Sequence, residues 1–178
     1  MDFQEYSDVS VNSLGLIICD RDGTLIRDIK GISKIANLEW LPERIEILQK
    51  LTELGFTIAI ATNQGAIEEG IVTVEEVRTF NEGMIEDARA KGVDIWAVVF
   101  CPHGKNLKGE KCFCRKPRPG MLDEIVKRSG VRANQKIVFF GDQNSDLQAA
   151  QSSKYEIDFR LVSTYNFRSV VNEWINRP

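Results

Sequence analysis

Two acidic residues, Asp20 and Asp22, lie two positions apart in the segment DRDGT, directly after an apolar run. Side chains two positions apart point to the same side of an extended chain, so these carboxylates would lie close together. Their proximity is costly unless a cation neutralises them or one of them takes up a proton. Mg²⁺ prefers hard oxygen ligands and commonly bridges carboxylates to a substrate phosphate. The pair therefore indicates a magnesium site for phosphate chemistry, with an ordinary Asp-x-Asp-Gly turn as the alternative.

Three further polar residues could act together with this acidic pair, and each follows a different apolar run. Asp142, in the segment GDQNSD, would bring a third carboxylate to the same ion. Thr62 offers a hydroxyl group, and Lys116 a positive charge, to the oxygens of a phosphoryl group. Alone, Thr62 could be a helix cap and Lys116 a solvated surface residue. Their common placement after predicted strands favours one shared site.

The segment CPHGKNLKGEKCFC, residues 101–114, contains three of the four cysteines and the only histidine of the chain. Its Cys-x-His and Cys-x-Cys pairs supply four ligands for a tetrahedral zinc ion, namely Cys101, His103, Cys112 and Cys114. With all four positions filled by protein, no place remains for a reactive water, so we expect a structural zinc ion. It would order a loop rich in Gly and Lys and so position Arg115 and Lys116. The alternative, an incidental group of thiols, fits the tight spacing less well.

The scaffold for these residues is predicted from apolar runs that alternate with amphipathic stretches. Strands are expected at 14–20, 56–61, 94–100, 136–141 and 158–163, and helices at 42–54, 74–91, 119–129, 144–153 and 168–176. Nearly continuous apolar runs are typical of parallel strands covered on both faces. The β-α-β alternation predicts a doubly wound, mostly parallel α/β sheet, in which ligands bind beyond the carboxyl ends of the strands. We expect one domain over residues 1–178, with the zinc loop at 101–114 inserted into it.

The composition and net charge indicate which kinds of molecule this protein is not expected to bind over a broad surface. The chain has 178 residues, 43% of them hydrophobic and 28% charged, as in an ordinary globular domain. Its net charge of -3 argues against a broad surface for nucleic acid or anionic membranes. The first residues, MDFQEYSDVSVNS, lack the basic start and apolar stretch of a secretory signal, and no apolar run approaches the length of a membrane span. We expect a cytoplasmic monomer.

Four segments resemble, in the same order, the four motifs of the haloacid dehalogenase superfamily of phosphatases: DRDGT at 20–24, Thr62, Lys116 and GDQNSD at 141–146. The resemblance implies that Asp20 attacks phosphorus and forms an aspartyl-phosphate. It implies that Asp22 first protonates the leaving oxygen and later activates water. Thr62 and Lys116 would then hold the phosphoryl oxygens.

The same resemblance implies the metal ligands. Mg²⁺ would be held by Asp20, by the backbone carbonyl of Asp22 and by Asp142, while Asp146 would support this site without being a ligand. These roles are implied by the motifs.

The segments CPH, CFC and RKPRPGM, together with TNQ at 62–64, resemble one branch of this superfamily. That branch contains D-glycero-D-manno-heptose 1,7-bisphosphate phosphatases and histidinol-phosphate phosphatases, and PGM at 119–121 is more similar to the heptose group. The resemblance implies a small enzyme without a large cap domain, which acts on a phosphorylated sugar, most simply the heptose bisphosphate. It also implies that Arg115 contacts the substrate and that Asn63, Gln64 and Gly65 line the pocket.

Three departures from the heptose pattern bear on the substrate. Gln143 stands where a Lys is usual, Glu69 stands where a basic residue is usual, and LIRDIKGIS follows DRDGT in place of a segment with Asn and Gly-Tyr. They change the charges expected near the far end of the substrate.

Other functions stay open. Histidinol-phosphate phosphatase, or a phosphatase for another small sugar phosphate, would use the same residues. A nucleic-acid 3′-phosphatase would be expected to show a basic stripe or stacking aromatic residues, which the sequence lacks. A non-catalytic, zinc-stabilised binding module would have no need of Asp20, Asp22, Asp142 and Lys116 together.

Overall fold

A six-stranded sheet forms the centre of the computed structural model, which describes residues 1–8, 13–31, 34–105, 112–132 and 134–177. The strands are β1 (Asp2–Glu5), β2 (Gly15–Cys19), β3 (Thr57–Asn63), β4 (Ala97–Cys101), β5 (Lys136–Gly141) and β6 (Asp158–Leu161). Their spatial order is β1-β4-β3-β2-β5-β6. All neighbours run parallel except β1, which pairs antiparallel with β4. The chain moves outward from β2 first through β3 and β4, then through β5 and β6, so the predicted doubly wound α/β fold is confirmed.

Five helices cover the two faces of the sheet: α1 (Arg44–Glu53), α2 (Val74–Ala90), α3 (Gly120–Ser129), α4 (Asn144–Gln151) and α5 (Phe167–Ile175). Helices α1, α2 and α5 pack on one face and α3 and α4 on the other. Within β2, Ile17 and Cys19 face the first helix layer while Leu16 and Ile18 face the second. Burial on both faces explains why this strand is apolar throughout.

The ends of some elements differ from the predicted ones for local reasons. Helix α1 begins at Arg44 because Glu43 has a left-handed φ of 65°, which no α-helix accommodates. Helix α2 begins as predicted, since Thr73 and Glu76 form a reciprocal capping box. The short edge strand β1 was not predicted, because its four residues DFQE alternate too briefly to be distinguished from a polar terminus.

Two connections are long, at 20–43 and 102–119, and the first contains a short 3-10 helix, Ile35–Asn37. The described residues of these connections form no second folded unit that would serve as a large cap. The middle of the predicted zinc loop, residues 106–111, lies outside the described residues. No described helix combines the length and the apolar character needed to cross a membrane.

Candidate active site

The carboxyl edge of the sheet brings the predicted catalytic side chains together. Asp20 follows β2 directly, Thr62 lies near the end of β3, and Asp142 follows β5 directly. Asp146 lies in the first turn of α4, and Lys116 precedes α3. Because β2 lies between β3 and β5, Asp20 is flanked by the residues that follow both neighbours. This is the place where the winding direction of the sheet reverses, and such places bind ligands in open α/β sheets.

Lys116 connects the acidic residues of this site. Its Nζ lies 2.5 Å from Asp20 Oδ1 and 2.8 Å from Asp146 Oδ1, and it donates a further hydrogen bond of 2.8 Å to the carbonyl of Ala61. The three charged residues are buried, with Lys116 4%, Asp20 6% and Asp146 1% exposed. Charges so far from water are stable only when they are paired and hydrogen-bonded.

The pKa values of Asp20 and Lys116 are shifted by burial and by the neighbouring charges. Burial raises the pKa of Asp20, the charge of Lys116 opposes the rise, and the charges of Asp146 and Asp22 add to it, so that the pKa is about 7. Burial by itself lowers the pKa of Lys116, but the attraction of Asp20 and Asp146 outweighs burial, and the pKa is raised. A cation next to these carboxylates would favour the ionised form of Asp20.

Asp20, Asp142 and Asp146 each offer a carboxylate oxygen, and these oxygens all lie within 4.8 Å of one another. This set of hard oxygen donors fits a divalent ion such as Mg²⁺. Asp142 is oriented by Thr24, whose hydroxyl donates to Oδ1 at 3.3 Å, and by Gln143, whose amide donates to Oδ2 at 2.7 Å. The carboxylates are therefore grouped as a cation would require.

Gly23 allows the turn after Asp20 to approach Asp142. Its φ of 81° lies in the left-handed region, and a Cβ atom at this position would stand 2.7 Å from Asp142 Oδ2. Both the conformation and the close approach favour glycine. In the segment DRDGT, both Asp20 and Gly23 therefore contribute to the acidic cluster.

The side chain of Asp22 lies beside the acidic cluster and points to different partners. Its Oδ2 accepts hydrogen bonds from Thr62 Oγ1 at 3.1 Å and from Gln64 Nε2 at 2.7 Å. Arg21 donates to both carboxylate oxygens, at 3.2 and 3.1 Å. Asp22 and Asp20 therefore occupy different surroundings, as two carboxylates with different tasks require.

The four residues predicted to contact substrate lie at the same edge of the sheet, but the side chains of three of them have protein partners. The amide of Asn63 is bonded to the backbone of Lys116, and the amide of Gln64 is bonded to Asp22 and Thr62. Gly65 and Arg115 are neighbours: a Cβ on Gly65 would lie 3.0 Å from Arg115 Nη1. Arg115 itself donates to the carbonyl of His103 at 2.5 Å. Their contact with substrate stays a prediction.

The four predicted zinc ligands converge at the end of β4. Each of Cys101, His103, Cys112 and Cys114 offers a ligand atom, and these atoms lie within 4.8 Å of one another. Cys101 Sγ is 3.3 Å from His103 Nδ1, 3.0 Å from Cys114 Sγ and 3.9 Å from Cys112 Sγ. Three thiols and an imidazole in this arrangement could hold one metal ion, and their chemistry fits zinc. Arg115 and Lys116 follow directly, so the cluster fixes the start of the segment that delivers Lys116.

Sequence reasoning missed Arg21, although it lies between the two predicted catalytic aspartates, and Asn81, which binds Arg21 from helix α2. One signal was available for Asn81. It is a polar residue among the apolar residues that recur at helical spacing in α2 and face the core.

Comparisons with known proteins identify the family of this chain. The family described as polynucleotide kinase 3 phosphatase matches residues 15–168. A D-glycero-beta-D-manno-heptose-1,7-bisphosphate 7-phosphatase from Pseudomonas aeruginosa is 36% identical over 142 residues, which cover 79% of this chain and 77% of that protein. A D-glycero-alpha-D-manno-heptose-1,7-bisphosphate 7-phosphatase from Photorhabdus laumondii is 31% identical over 144 residues, covering 79% and 78% of the two chains.

Solved structures show the same fold. A D,D-heptose 1,7-bisphosphate phosphatase from B. bronchiseptica, complexed with magnesium and phosphate, superposes with a TM-score of 0.74 at 30% identity, covering 89% of this chain and 86% of that one. A D,D-heptose 1,7-bisphosphate phosphatase from Burkholderia thailandensis superposes with a TM-score of 0.60 at 19% identity, covering 92% and 99%, and supports the fold alone. The chain therefore belongs to the haloacid dehalogenase superfamily of phosphatases, in the family that includes the heptose-1,7-bisphosphate 7-phosphatases.

Proposed function

We propose that this protein is a Mg²⁺-dependent phosphomonoester hydrolase that removes the 7-phosphate of D-glycero-D-manno-heptose 1,7-bisphosphate. The observation that carries the proposal is the position of Asp20. Its carboxylate is paired with Lys116 and grouped with two further carboxylates at the switch point of the sheet, with the separately held Asp22 two residues away. This arrangement supports a nucleophile, a cation site and a proton donor at one strand end.

In the first half of the reaction, a carboxylate oxygen of Asp20 attacks the phosphorus atom in line with the ester bond. The bond from Asp20 to phosphorus forms as the bond from phosphorus to the ester oxygen breaks. Asp22, as the acid, passes its proton to the departing ester oxygen, so the sugar leaves with a neutral hydroxyl group in place of the 7-phosphate. Thr62 and Lys116 bind the phosphoryl oxygens and stabilise their charge.

In the second half, Asp22 is a carboxylate and acts as a base. It takes a proton from a water molecule, whose oxygen attacks the phosphorus of the aspartyl-phosphate. The bond between Asp20 and phosphorus breaks, inorganic phosphate is released, and both aspartates return to their starting states. The chain itself supplies every proton acceptor and donor in this cycle.

Both metal ions are part of the proposal. Asp20, Asp142 and the backbone carbonyl of Asp22 would hold Mg²⁺, which when bound compensates the negative charge gathered by the carboxylates and the phosphoryl group. Asp146, which is paired with Lys116, would support this arrangement. Cys101, His103, Cys112 and Cys114 would hold a structural zinc ion, with no position left for reactive water.

Two of the departures from the heptose pattern, Glu69 and the segment LIRDIKGIS, are in contact with each other in the structure. Glu69, which replaces a basic residue, lies 2.8 Å from Lys30, and both side chains are exposed. Lys30 belongs to the altered segment LIRDIKGIS. The negative charge introduced by Glu69 is therefore compensated by Lys30. The net charge expected near the far end of the substrate changes less than the replacement by Glu69 alone indicates.

We infer a small phosphorylated sugar as the partner, no nucleic acid or membrane surface, and a cytoplasmic monomer. One observation favours a second candidate: the matching family is described as polynucleotide kinase 3 phosphatase. Against a nucleic-acid substrate stands the net charge of -3, because binding to nucleic acid depends on a positive footprint.

The test measures kcat/KM with and without Mg²⁺ on four substrates: heptose 1,7-bisphosphate, histidinol phosphate, a 3′-phosphorylated oligonucleotide and p-nitrophenyl phosphate. We expect activity only with the ion, the highest kcat/KM on the heptose bisphosphate, and near-complete loss in Asp20→Asn. A higher kcat/KM on histidinol phosphate or on the oligonucleotide would replace the substrate assignment. An active Asp20→Asn protein, with deamidation back to Asp excluded by mass spectrometry, would refute the nucleophile.

A further inference from the structure

Arg21 is a fully buried charged residue next to the catalytic acids, and the reaction described above assigns it no task. Its side chain is 0% exposed. Its Nε donates to Asp22 Oδ1 at 3.2 Å and its Nη2 donates to Asp22 Oδ2 at 3.1 Å, so the planar guanidinium group binds both carboxylate oxygens. Its Cζ lies 5.0 Å from the centre of the Phe80 ring. Two parallel hydrogen bonds of this kind fix the orientation of a carboxylate as well as its position.

The other end of the guanidinium group is held by a second buried polar residue. Arg21 Nη1 donates to Asn81 Oδ1 at 2.8 Å, and Asn81, also 0% exposed, donates from Nδ2 to Gln4 Oε1 at 2.9 Å. Asn81 lies on the face of α2 that is otherwise packed into the apolar core. A continuous chain of hydrogen bonds thus runs from Gln4 on the edge strand β1, through Asn81 and Arg21, to Asp22.

The other fully buried arginine, Arg44, is held in a different way. Arg44 is also 0% exposed, but its three hydrogen bonds go to backbone carbonyls, those of Thr24, Pro42 and Ser163. Arg44 therefore joins segments of the chain. Arg21 instead directs two of its hydrogen bonds to a side chain that we place in the reaction.

The two oxygens of Asp22 are used unequally. Oδ2 accepts from three donors, Arg21 Nη2, Thr62 Oγ1 and Gln64 Nε2. In the described part of the chain, Oδ1 accepts from Arg21 Nε alone. A carboxylate oxygen has two lone pairs, so Oδ1 keeps one that can carry a proton. The side chain of Asp22 is 17% exposed, so it is open to contact with a bound substrate.

We infer that Arg21 is a positioning residue that holds Asp22 so that Oδ1 faces the leaving oxygen of the substrate. The inference rests on the proposed function. Asn81 fixes the guanidinium group, and the guanidinium group fixes the carboxyl group while the proton passes from Oδ1 to the ester oxygen as the phosphorus–oxygen bond breaks. Lysine cannot take over this task, because a single ammonium group cannot bind both oxygens in a fixed plane.

The test compares phenyl phosphate with p-nitrophenyl phosphate, two substrates of nearly equal shape. Phenolate is a poor leaving group, with a pKa of about 10 as for Tyr, and gains much from a proton, whereas nitrophenolate leaves readily as the anion. The quantity measured is kcat/KM, which covers the steps up to departure of the leaving group. General acid catalysis typically contributes about 10²- to 10⁴-fold, so a misplaced acid should lower phenyl phosphate turnover selectively.

For Arg21→Lys and Arg21→Met we expect the ratio of kcat/KM, p-nitrophenyl phosphate over phenyl phosphate, to rise about fivefold or more. Asn81→Leu should raise it in the same direction. The matched control is Arg44→Lys, which alters a buried arginine without touching Asp22 and should leave the ratio unchanged even if it lowers Tm. An unchanged ratio in both Arg21 variants, at whatever level of activity, would overturn the positioning role. A wild-type protein inactive on both esters would instead refute the proposed function itself, and the inference with it.

Discussion

Asn63 and the backbone of Lys116 are joined by two hydrogen bonds that run in opposite directions. The backbone N–H of Lys116 donates to Asn63 Oδ1 at 3.0 Å, and Asn63 Nδ2 donates to the carbonyl of Lys116 at 3.1 Å. Asn63 is the last residue of β3, so the pair ties the segment that carries Lys116 to the end of a central strand. The side chain amide of Asn63 therefore makes the two hydrogen bonds to the Lys116 backbone that a residue of a neighbouring strand would otherwise make.

The first prediction concerns this pair. Asn63→Ala should lower kcat by about tenfold or more, because a small displacement of Lys116 weakens its binding to the phosphoryl group. Two hydrogen bonds are lost, so the free energy of unfolding should fall by about 1–3 kcal/mol. Steady-state kinetics and urea unfolding measure the two effects. The control Asn37→Ala, at an exposed position, should change neither. Unchanged kcat in a folded Asn63→Ala protein would show that the pair does not position Lys116.

A second prediction concerns the turn at Gly23. Gly23→Ala should destabilise the protein in two ways, because alanine disfavours a φ of 81° and its Cβ would lie 2.7 Å from Asp142 Oδ2. The left-handed conformation costs about 1–2 kcal/mol, and the displaced carboxylate should also weaken Mg²⁺ binding. Gly70→Ala is a matched control, because Gly70 has a φ of 70° and nothing lies within 4 Å of the added Cβ.

Both glycine variants should therefore show the conformational cost in thermal unfolding. Gly23→Ala alone should raise the Mg²⁺ concentration needed for half-maximal activity, by about tenfold. Equal Mg²⁺ requirements in the two variants would show that the turn at Gly23 does not influence Mg²⁺ binding by the acidic cluster.

A third prediction concerns the acidic cluster as a cation site. Mg²⁺ should raise Tm of the wild-type protein in the absence of substrate, because an ion that binds only the folded state adds about 2.7 kcal/mol at a concentration 100 times its Kd. Asp142→Asn should remove most of this increase, since it takes away one of three clustered carboxylates. Asp94→Asn, at an exposed position outside the cluster, should keep it. A Tm increase that survives in Asp142→Asn would locate the ion elsewhere.

A fourth prediction concerns the cysteine and histidine cluster. Metal analysis of protein purified without chelator should give about one zinc ion per chain. Removal of zinc by a strong chelator should lower Tm and, because Lys116 follows the cluster, should also lower kcat. Cys112→Ser should have both effects, whereas Cys19→Ala, which alters the buried cysteine of β2, should keep the zinc content at about one. A zinc-free wild-type protein with full activity would contradict this role.

The sequence determined the scaffold and the identity of the main site residues because both leave local signals. Strands buried on both faces are apolar throughout, as β2 shows, and helix α2 begins at a capping box that is visible as Thr73 and Glu76. The predicted zinc ligands are recognisable from their spacing, because Cys101 and His103 lie two positions apart, as do Cys112 and Cys114.

The tertiary structure alone decided which partner each side chain has. Asn63 and Gln64 were expected to face substrate, and the structure gives their amides to Lys116 and to Asp22. The chain of hydrogen bonds from Gln4 through Asn81 to Arg21 joins residues up to 77 positions apart, and edge strand β1 pairs with β4 over a still longer separation. Nothing local encodes such contacts, because the free energy of a buried hydrogen bond depends on which donor the folded chain brings within about 3 Å of the acceptor.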